Sequence, residues 1–317
     1  MSGRFVADVG GTNIRLAREV HGELIDIKKY LCNDYDSIAQ VIQLYFDEFP
    51  DIRFRAGCIG IACPVIGDHI KMTNHHWQFS IKELKSLLRL DWLDVINDYD
   101  AVAMSLPVLS DAQKHQIGGG SIHENAPIAV FGPGTGLGVG HLINTGVKWQ
   151  PLDGEGGHIN FAPVDETDLI IWRYLTQKYG YASAEEVMSG RGLVQIYEAL
   201  AEYQGKPIAY NDPADVSKNA IAGSCTICEA ALTQFCASMG TFAGNLALSL
   251  GTLGGVYIAG GITQRFVDFL EASPFRERFE AKGRFKGYVS AIPTFVITEP
   301  DHGLLGTAAY LEQYYKG

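Results

Sequence analysis

Three observations predict an α/β fold for this chain. Strand-like and helical apolar patterns alternate along its length. Two glycine-threonine turns, Gly10-Gly11-Thr12 and Gly132-Pro133-Gly134-Thr135-Gly136, each lie between two strand-like runs. Finally, 317 residues with 47% hydrophobic and 19% charged content suffice for two domains of ordinary size, each with its own core.

The first strands are expected near 4–8, 13–19 and 24–31, followed by an amphipathic helix over 37–49 and further strands near 57–63 and 69–72. Ser80-Ile81-Lys82-Glu83 has the form of a capping box, so a helix should run to about residue 89. Residues 93–96 read as a strand ending at Asn97-Asp98. The polar, glycine-rich stretch 113–125 reads as a surface loop or a crossing between domains. Strands then flank the second turn near 128–131 and 139–143. Its glycines invite comparison with a dinucleotide fingerprint, but there they open a helix, whereas here a strand follows; the Rossmann reading is rejected. Beyond it the pattern is mainly helical. Ser183-Ala184-Glu185-Glu186 fits a second capping box, and 225–250 reads as the main buried helix. Residues 254–262 form a strand entering a glycine turn, helices fill most of the rest, and the last spans 304–315.

The formal charge of -11 and pI near 5.3 argue against a nucleic-acid partner, whose phosphates require a basic surface. Arg276, Arg278, Lys282, Arg284 and Lys286 alternate with Glu277 and Glu280 and are expected to form a solvated face. No signal-peptide pattern and no run of membrane-spanning length is found, so a cytoplasmic protein without a membrane partner is expected. The six cysteines are scattered and expected to remain thiols. Cys225-x-x-Cys228 lacks a second Cys or His pair at zinc spacing and precedes a helical pattern, which favours buried or half-buried thiols.

Asp8-Val9-Gly10-Gly11-Thr12-Asn13-Ile14-Arg15 has the layout of a phosphate-binding hairpin. Its glycines let backbone N–H groups approach an anion, Thr12 adds a hydroxyl, and Asp8 is a hard oxygen ligand suited to Mg²⁺. An ordinary Gly-Gly hairpin turn has the same residues. The second turn repeats the unit, so two such hairpins could clamp a polyphosphate. At the strand end, Asp98 can be a general base, or Asn97-Asp98 can cap the following helix; the residues alone leave both open. Glu155 and His158 stand in a Gly-Glu-Gly-Gly-His loop and pair an acceptor with a potential donor, which suits a polyol; half of a metal site is the alternative. Trp77 is expected in packing. Gly260 and Gly261 would leave room for an adenosine, or serve a tight turn.

Five segments, Asp8 to Arg15, Ile96 to Ser105, Gly132 to Gly140, Gly254 to Ile262 and Gly303 to Tyr310, match in order the phosphate, connecting, phosphate, adenosine and connecting motifs of the hexokinase, Hsp70 and actin superfamily. Within it, Cys58-Ile59-Gly60-Ile61-Ala62-Cys63-Pro64, Met72-Thr73-Asn74-His75-His76-Trp77, Ile96-Asn97-Asp98-Tyr99, Gly154-Glu155-Gly156-Gly157-His158 and Gly283-Arg284-Phe285 resemble the bacterial glucokinases of the non-ROK, proteobacterial type, over essentially the whole chain. No zinc-binding cysteine cluster follows His158, as it does in ROK sugar kinases, which argues against bound zinc.

The resemblance implies a two-domain actin-like ATPase (ribonuclease H-like) fold with an interdomain cleft. The small domain would take 1–108 plus 300–317, and the large one 109–299. It implies ATP-dependent phosphorylation of D-glucose to glucose 6-phosphate, with ATP and Mg²⁺ as cofactors and a homodimer as the assembly. Asp98 becomes the base, with Asn97 beside it on the sugar. Glu155, His158 and Glu185 complete the sugar shell, Glu185 from the start of its helix, and Asn74 is a weaker candidate. Gly10, Gly11, Thr12, Asn13, Thr135 and Gly136 would contact phosphates, Gly260 and Gly261 the adenosine, and Asp8 the Mg²⁺. Asp100 departs from the relatives, which commonly have an uncharged residue there; pointed at the site, it would raise the proton affinity of the pair with Asp98. A kinase for another hexose, or a sugar-sensing regulator on the same fold, is the alternative function. The absence of a helix-turn-helix extension and the presence of Asp98 count against the regulator.

Overall fold

A computed structural model describes residues 2–73 and 75–316, so Asn74 lies outside the described residues. In chain order the strands are β1 (Ser2–Val9), β2 (Asn13–Val20), β3 (Glu23–Leu31), β4 (Arg53–Ile61), β5 (His69–Lys71), β6 (Gln78–Ser80), β7 (Trp92–Asn97), β8 (Lys114–Ile117), β9 (Ile128–Pro133), β10 (Leu137–Asn144), β11 (Trp149–Leu152), β12 (Val256–Ile258) and β13 (Thr294–Ile297). The α-helices are α1 (Ile38–Asp47), α2 (Ile81–Leu87), α3 (Asp98–Ser105), α4 (Glu166–Tyr179), α5 (Gly190–Tyr203), α6 (Pro213–Ile221), α7 (Thr226–Leu250), α8 (Val267–Ala272), α9 (Phe275–Glu280), α10 (Lys286–Ser290) and α11 (His302–Tyr314). The chain divides into two compact units, one of Met1–Ser110, Thr145–Asp153 and Glu299–Gly317, the other of Asp111–Asn144 and Gly154–Thr298. Residues 145–153, expected with the second domain, thus cluster with the first unit.

The first unit is built on a sheet of order β3-β2-β1-β4-β7. β1 pairs antiparallel with β2, setting Asp8 opposite Arg15, and parallel with β4, which is itself parallel to β7. Because successive side chains alternate between faces, Phe5 and Ala7 join Tyr45, Phe54 and Trp77 in one core, while Val6 joins Ala56, Ala101 and Leu304 in another. α11 lies against α3 so closely that a Cβ on Gly306 would stand 1.6 Å from the Ala101 carbonyl oxygen, a contact only glycine permits. That crossing positions α3, and with it Asp98. The Ser80 hydroxyl accepts from the Glu83 N–H as expected, but Asp68 supplies the return contacts, taking the Ser80 hydroxyl at 2.6 Å and the Lys82 N–H at 3.0 Å.

In the second unit the strands run β10-β9-β12-β13-β8. β10 and β9 are antiparallel, β9, β12 and β13 are mutually parallel along that order, and β13 and β8 are antiparallel. The antiparallel-parallel-parallel succession of β2-β1-β4-β7 recurs in β10-β9-β12-β13. Two of these strands correct the sequence reading: β8 falls in the expected loop 113–125, and β13 in a stretch expected to be helical. β13 is a four-residue run with every side chain buried, too short to show a period, and β8 buries Ile117 alone.

The expected capping box at 183–186 is half present. The Ser183 hydroxyl accepts from the Glu186 N–H at 3.3 Å, but only one turn forms, because Ser189 is extended and caps the helix that does begin, α5, through the Gly192 N–H. Glu185 therefore sits in a turn before the helix, not at its start. Of the basic run, Arg284, Lys286 and Glu277 are exposed as expected, but Arg276, Arg278 and Lys282 are not part of a solvated face. Arg278 pairs with Asp165 and Asp168, Arg276 with Glu280, and Lys282 donates to the Thr241 carbonyl and Asn245. Gly240 and Gly244 of α7 explain this: a Cβ on either would meet the Phe275 or Phe279 carbonyl at 2.1 or 2.5 Å, so α9 lies flush on α7 and its cations are drawn inward. Among the described residues no single helix is long and apolar enough to cross a membrane; α6 and α7 reach that composition only as a pair bent by 103°.

Candidate active site

In the first unit, β1 ends and β2 begins around Gly10, Gly11 and Thr12, where the Gly10 N–H donates to the Asn13 carbonyl at 2.9 Å. Among the described residues the N–H groups of Gly11 and Thr12 donate to no protein acceptor. They border a hollow of about 270 Å³ lined by Asp8, Gly10, Gly11, Thr12, Asn13 and Arg15. Asp8 is half-buried, and burial pushes its carboxyl above the ordinary value against the opposing pull of Arg15 and His302. The space before that carboxylate depends on Gly303, whose Cβ would lie 3.0 to 3.2 Å from the carboxylate atoms.

Asn97 and Asp98 sit where β7 passes into α3. Asn97 is the N-cap, its Oδ1 accepting from the Tyr99 N–H at 2.8 Å while its Nδ2 donates to the Cys63 carbonyl at 3.2 Å. Asp98 takes the first helical position, half-buried, and also accepts from the Tyr99 N–H at 3.0 Å. The capping role is thus real for Asn97, and the Tyr99 N–H holds both side chains at a positive helix end. Asp100 is 6% exposed. Burial pushes its carboxyl up to about 7, with help from a hydrogen bond to Asp153 and from the charges of Asp153 and Asp98. Asp153, far away in sequence and carrying no motif, was invisible as its partner.

In the second unit the turn at 134–136 repeats the backbone logic, the Gly134 N–H donating to the Gly136 carbonyl at 2.8 Å. The N–H groups of Thr135 and Gly136 likewise donate to no protein acceptor among the described residues. The Leu137 N–H, however, donates to Glu185 Oε2 at 3.0 Å, and Arg191 stands 3.7 Å from Oε1. The Glu185 N–H in turn donates to the Gly157 carbonyl at 2.9 Å. A Cβ on Gly157 would stand 2.0 Å from the Leu137 carbonyl oxygen. One hydrogen-bonded chain thus joins the 134–137 turn, Glu185 and the 155–158 loop. Glu155 and His158 are exposed on that loop, where the Tyr181 hydroxyl holds the His158 carbonyl at 2.6 Å. Gly260 has φ +92 and approaches the Pro133 carbonyl so closely that a Cβ would lie 2.5 Å away, so the fold itself demands glycine there. Gly261 has open space beside it, which the fold does not explain.

This fold is similar to that of solved sugar-phosphorylating enzymes. The glucokinase of an Antarctic psychrotroph superimposes with a TM-score of 0.91 at 35% identity, covering 98% of this chain and 99% of that one. The Balamuthia mandrillaris glucokinase, solved in complex with glucose, gives 0.81 at 22% identity, over 97% of this chain and 92% of that one, a likeness of fold. The class is therefore that of the sugar kinases. The glucokinase family model matches residues 5–314, and the glucokinase of Cronobacter sakazakii is 49% identical over 310 residues, 97% of this chain and 96% of that protein. The chain belongs to the glucokinase family.

Proposed function

We propose that this protein catalyses ATP-dependent phosphorylation of D-glucose to glucose 6-phosphate, in the two-domain arrangement that the family resemblance implies, as a cytoplasmic homodimer. The observation that carries the reading is family membership along nearly the whole chain, joined to a half-buried carboxylate, Asp98, held at a helix N-terminus. Phosphoryl transfer needs little covalent assistance; it needs an aligned hydroxyl, charge neutralisation and a proton acceptor. Asp98 would accept the proton of the 6-hydroxyl, with Asn97 using its remaining Nδ2 hydrogen on the sugar beside it. Glu155 and His158 would supply acceptor and donor to further hydroxyls, and Glu185 its Oε1, since Oε2 is already committed to the Leu137 N–H.

For the nucleotide, the N–H groups of Gly11, Thr12, Thr135 and Gly136 and the neighbouring Gly10 and Asn13 suit phosphate oxygens, and Gly260 and Gly261 would border the adenosine. Asp8 lines the hollow of about 270 Å³ beside the turn and has the hard oxygen atoms that suit Mg²⁺, so Asp8 is the residue that would hold it. Bound there, Mg²⁺ would offset the charge of the phosphates. A coupled assay of purified protein with ATP and Mg²⁺ against a hexose panel tests the reading. Glucose should give the highest kcat/KM; preference for mannose or fructose would move the protein to another hexose kinase, and no turnover with any sugar would make it a sensor.

A further inference from the structure

The pair Cys225 and Cys228 takes no part in the chemistry above, yet its geometry is specific. Cys225 is the N-cap of the 25-residue helix α7, with extended backbone, and Cys228 stands three residues on, in the first turn. The Cys225 sulfur accepts from the Cys228 N–H at 3.4 Å, and the Cys228 thiol donates to the same sulfur. Cys225 is half-buried and packs at the edge of the core, whereas Cys228 is fully buried within it. One partly exposed sulfur therefore sits at a positive helix end in contact with a buried one.

We infer that Cys225 and Cys228 form a peroxide-oxidisable dithiol, with Cys225 as the attacking sulfur and Cys228 as the resolving one. In the first step the Cys225 thiolate attacks one oxygen of hydrogen peroxide; the O–O bond breaks, the departing hydroxide takes up a proton to become water, and Cys225 becomes a sulfenic acid. The Cys228 sulfur then attacks the Cys225 sulfur as its own proton is lost; the S–O bond breaks, water departs, and the disulfide forms. Together the two thiols lose two electrons and two protons, and peroxide becomes two waters.

Cys32, Cys58 and Cys236 lack these conditions. Burial pushes Cys32 up to about 11 and Cys236 up to about 12, and raises Cys58 well above the ordinary thiol value. At Cys225 burial also acts upward, but hydrogen bonds from the Cys228 N–H, the Cys228 thiol and the Ile227 N–H outweigh it and bring the thiol down. Cys228, by contrast, is pushed up to about 12 by burial and by the Cys225 sulfur beside it, which suits a resolving thiol that reacts only with a partner in contact.

The test uses the wild-type protein. Without oxidant, iodoacetamide should alkylate Cys225 at least about tenfold faster than any other cysteine. After brief exposure to hydrogen peroxide, mass spectrometry should show Cys225 and Cys228 protected together, their peptide lighter by two hydrogens, with both sites recovered by dithiothreitol and the other four unchanged. In Cys228→Ser, peroxide should leave a dimedone-reactive sulfenic acid at Cys225. Alkylation of Cys225 no faster than that of Cys32, or peroxide doses that oxidise other cysteines before linking this pair, would overturn the proposal, and both readings hold even if Cys228→Ser does not fold.

Discussion

At the first glycine hairpin the Gly10 N–H closes the turn on Asn13, and at the second the Gly134 N–H closes it on Gly136, but the carboxylates beside them are held in opposite ways. The first unit buries its acids. Asp8 is raised by burial, and Asp100 by burial and Asp153. The second unit ties its acid down: Glu185 accepts the Leu137 N–H and so braces the turn itself. A carboxylate held by burial keeps an elevated proton affinity and is available for proton or cation chemistry. One that accepts from the turn's own N–H, as Glu185 does, also braces the scaffold. The same strand-turn-strand unit thus carries once a carboxylate raised by burial, Asp8, and once a turn braced by one, Glu185.

The largest effect should come from the first unit, at the start of α3. Asp98→Asn keeps the shape and the Tyr99 cap but loses proton acceptance, so kcat should fall by roughly two to four orders of magnitude with the glucose Kd nearly unchanged. Titration of glucose binding beside steady-state kinetics checks it; more than half of normal kcat would remove Asp98 from the role.

Next comes the proton shared near Asp100. A carboxyl whose value is raised from 3.8 to about 7 on folding contributes stability that is present below 3.8 and lost as pH rises through 7. Urea midpoints of the wild type should therefore fall between pH 5 and pH 8. Asp100→Asn should flatten that fall and leave the variant more stable at pH 8, by on the order of 2 kcal/mol. Equal slopes for the two proteins would show that Asp100 is ionised in the native state.

The braced turn predicts a smaller, mixed effect. A Cβ at Gly136 would stand 2.5 Å from Glu185 Oε2, so Gly136→Ala should expel the carboxylate and break its bond to Leu137, lost interactions worth about 1.5 to 3 kcal/mol. kcat/KM should drop roughly tenfold to a hundredfold for ATP and glucose together, because Glu185 is joined to both the turn and the 155–158 loop. Glu155→Gln, on the exposed loop, should weaken glucose alone. If Gly136→Ala raises only the KM for ATP, Glu185 is not shared. Smallest of all is Gly10→Ala: its nearest contact would be the Asn13 carbonyl at 3.6 Å, ordinary packing, so the melting temperature should stay within about 2 °C.

By itself the sequence determined whatever rests on local chemistry. β1, β2 and β3, the Ser80 cap of α2 and the long α7 follow from apolar period, capping residues and glycine, which act over a few residues. The resemblance carried in the motifs at 8–15, 96–105 and 132–140 likewise led to the glucokinase family. Only the tertiary structure decided what depends on partners distant in sequence. β8 is a strand because β13 lies beside it, and Arg278 is half-buried because Gly240 and Gly244 admit α9 and Asp168 awaits the cation. Asp100 is pushed up because the fold buries it and brings Asp153 to it, and Glu185 stays in a turn because Ser189 is extended and caps α5 instead. Local patterns are written in consecutive residues, whereas burial and charge pairing are set by whichever side chains the fold brings together.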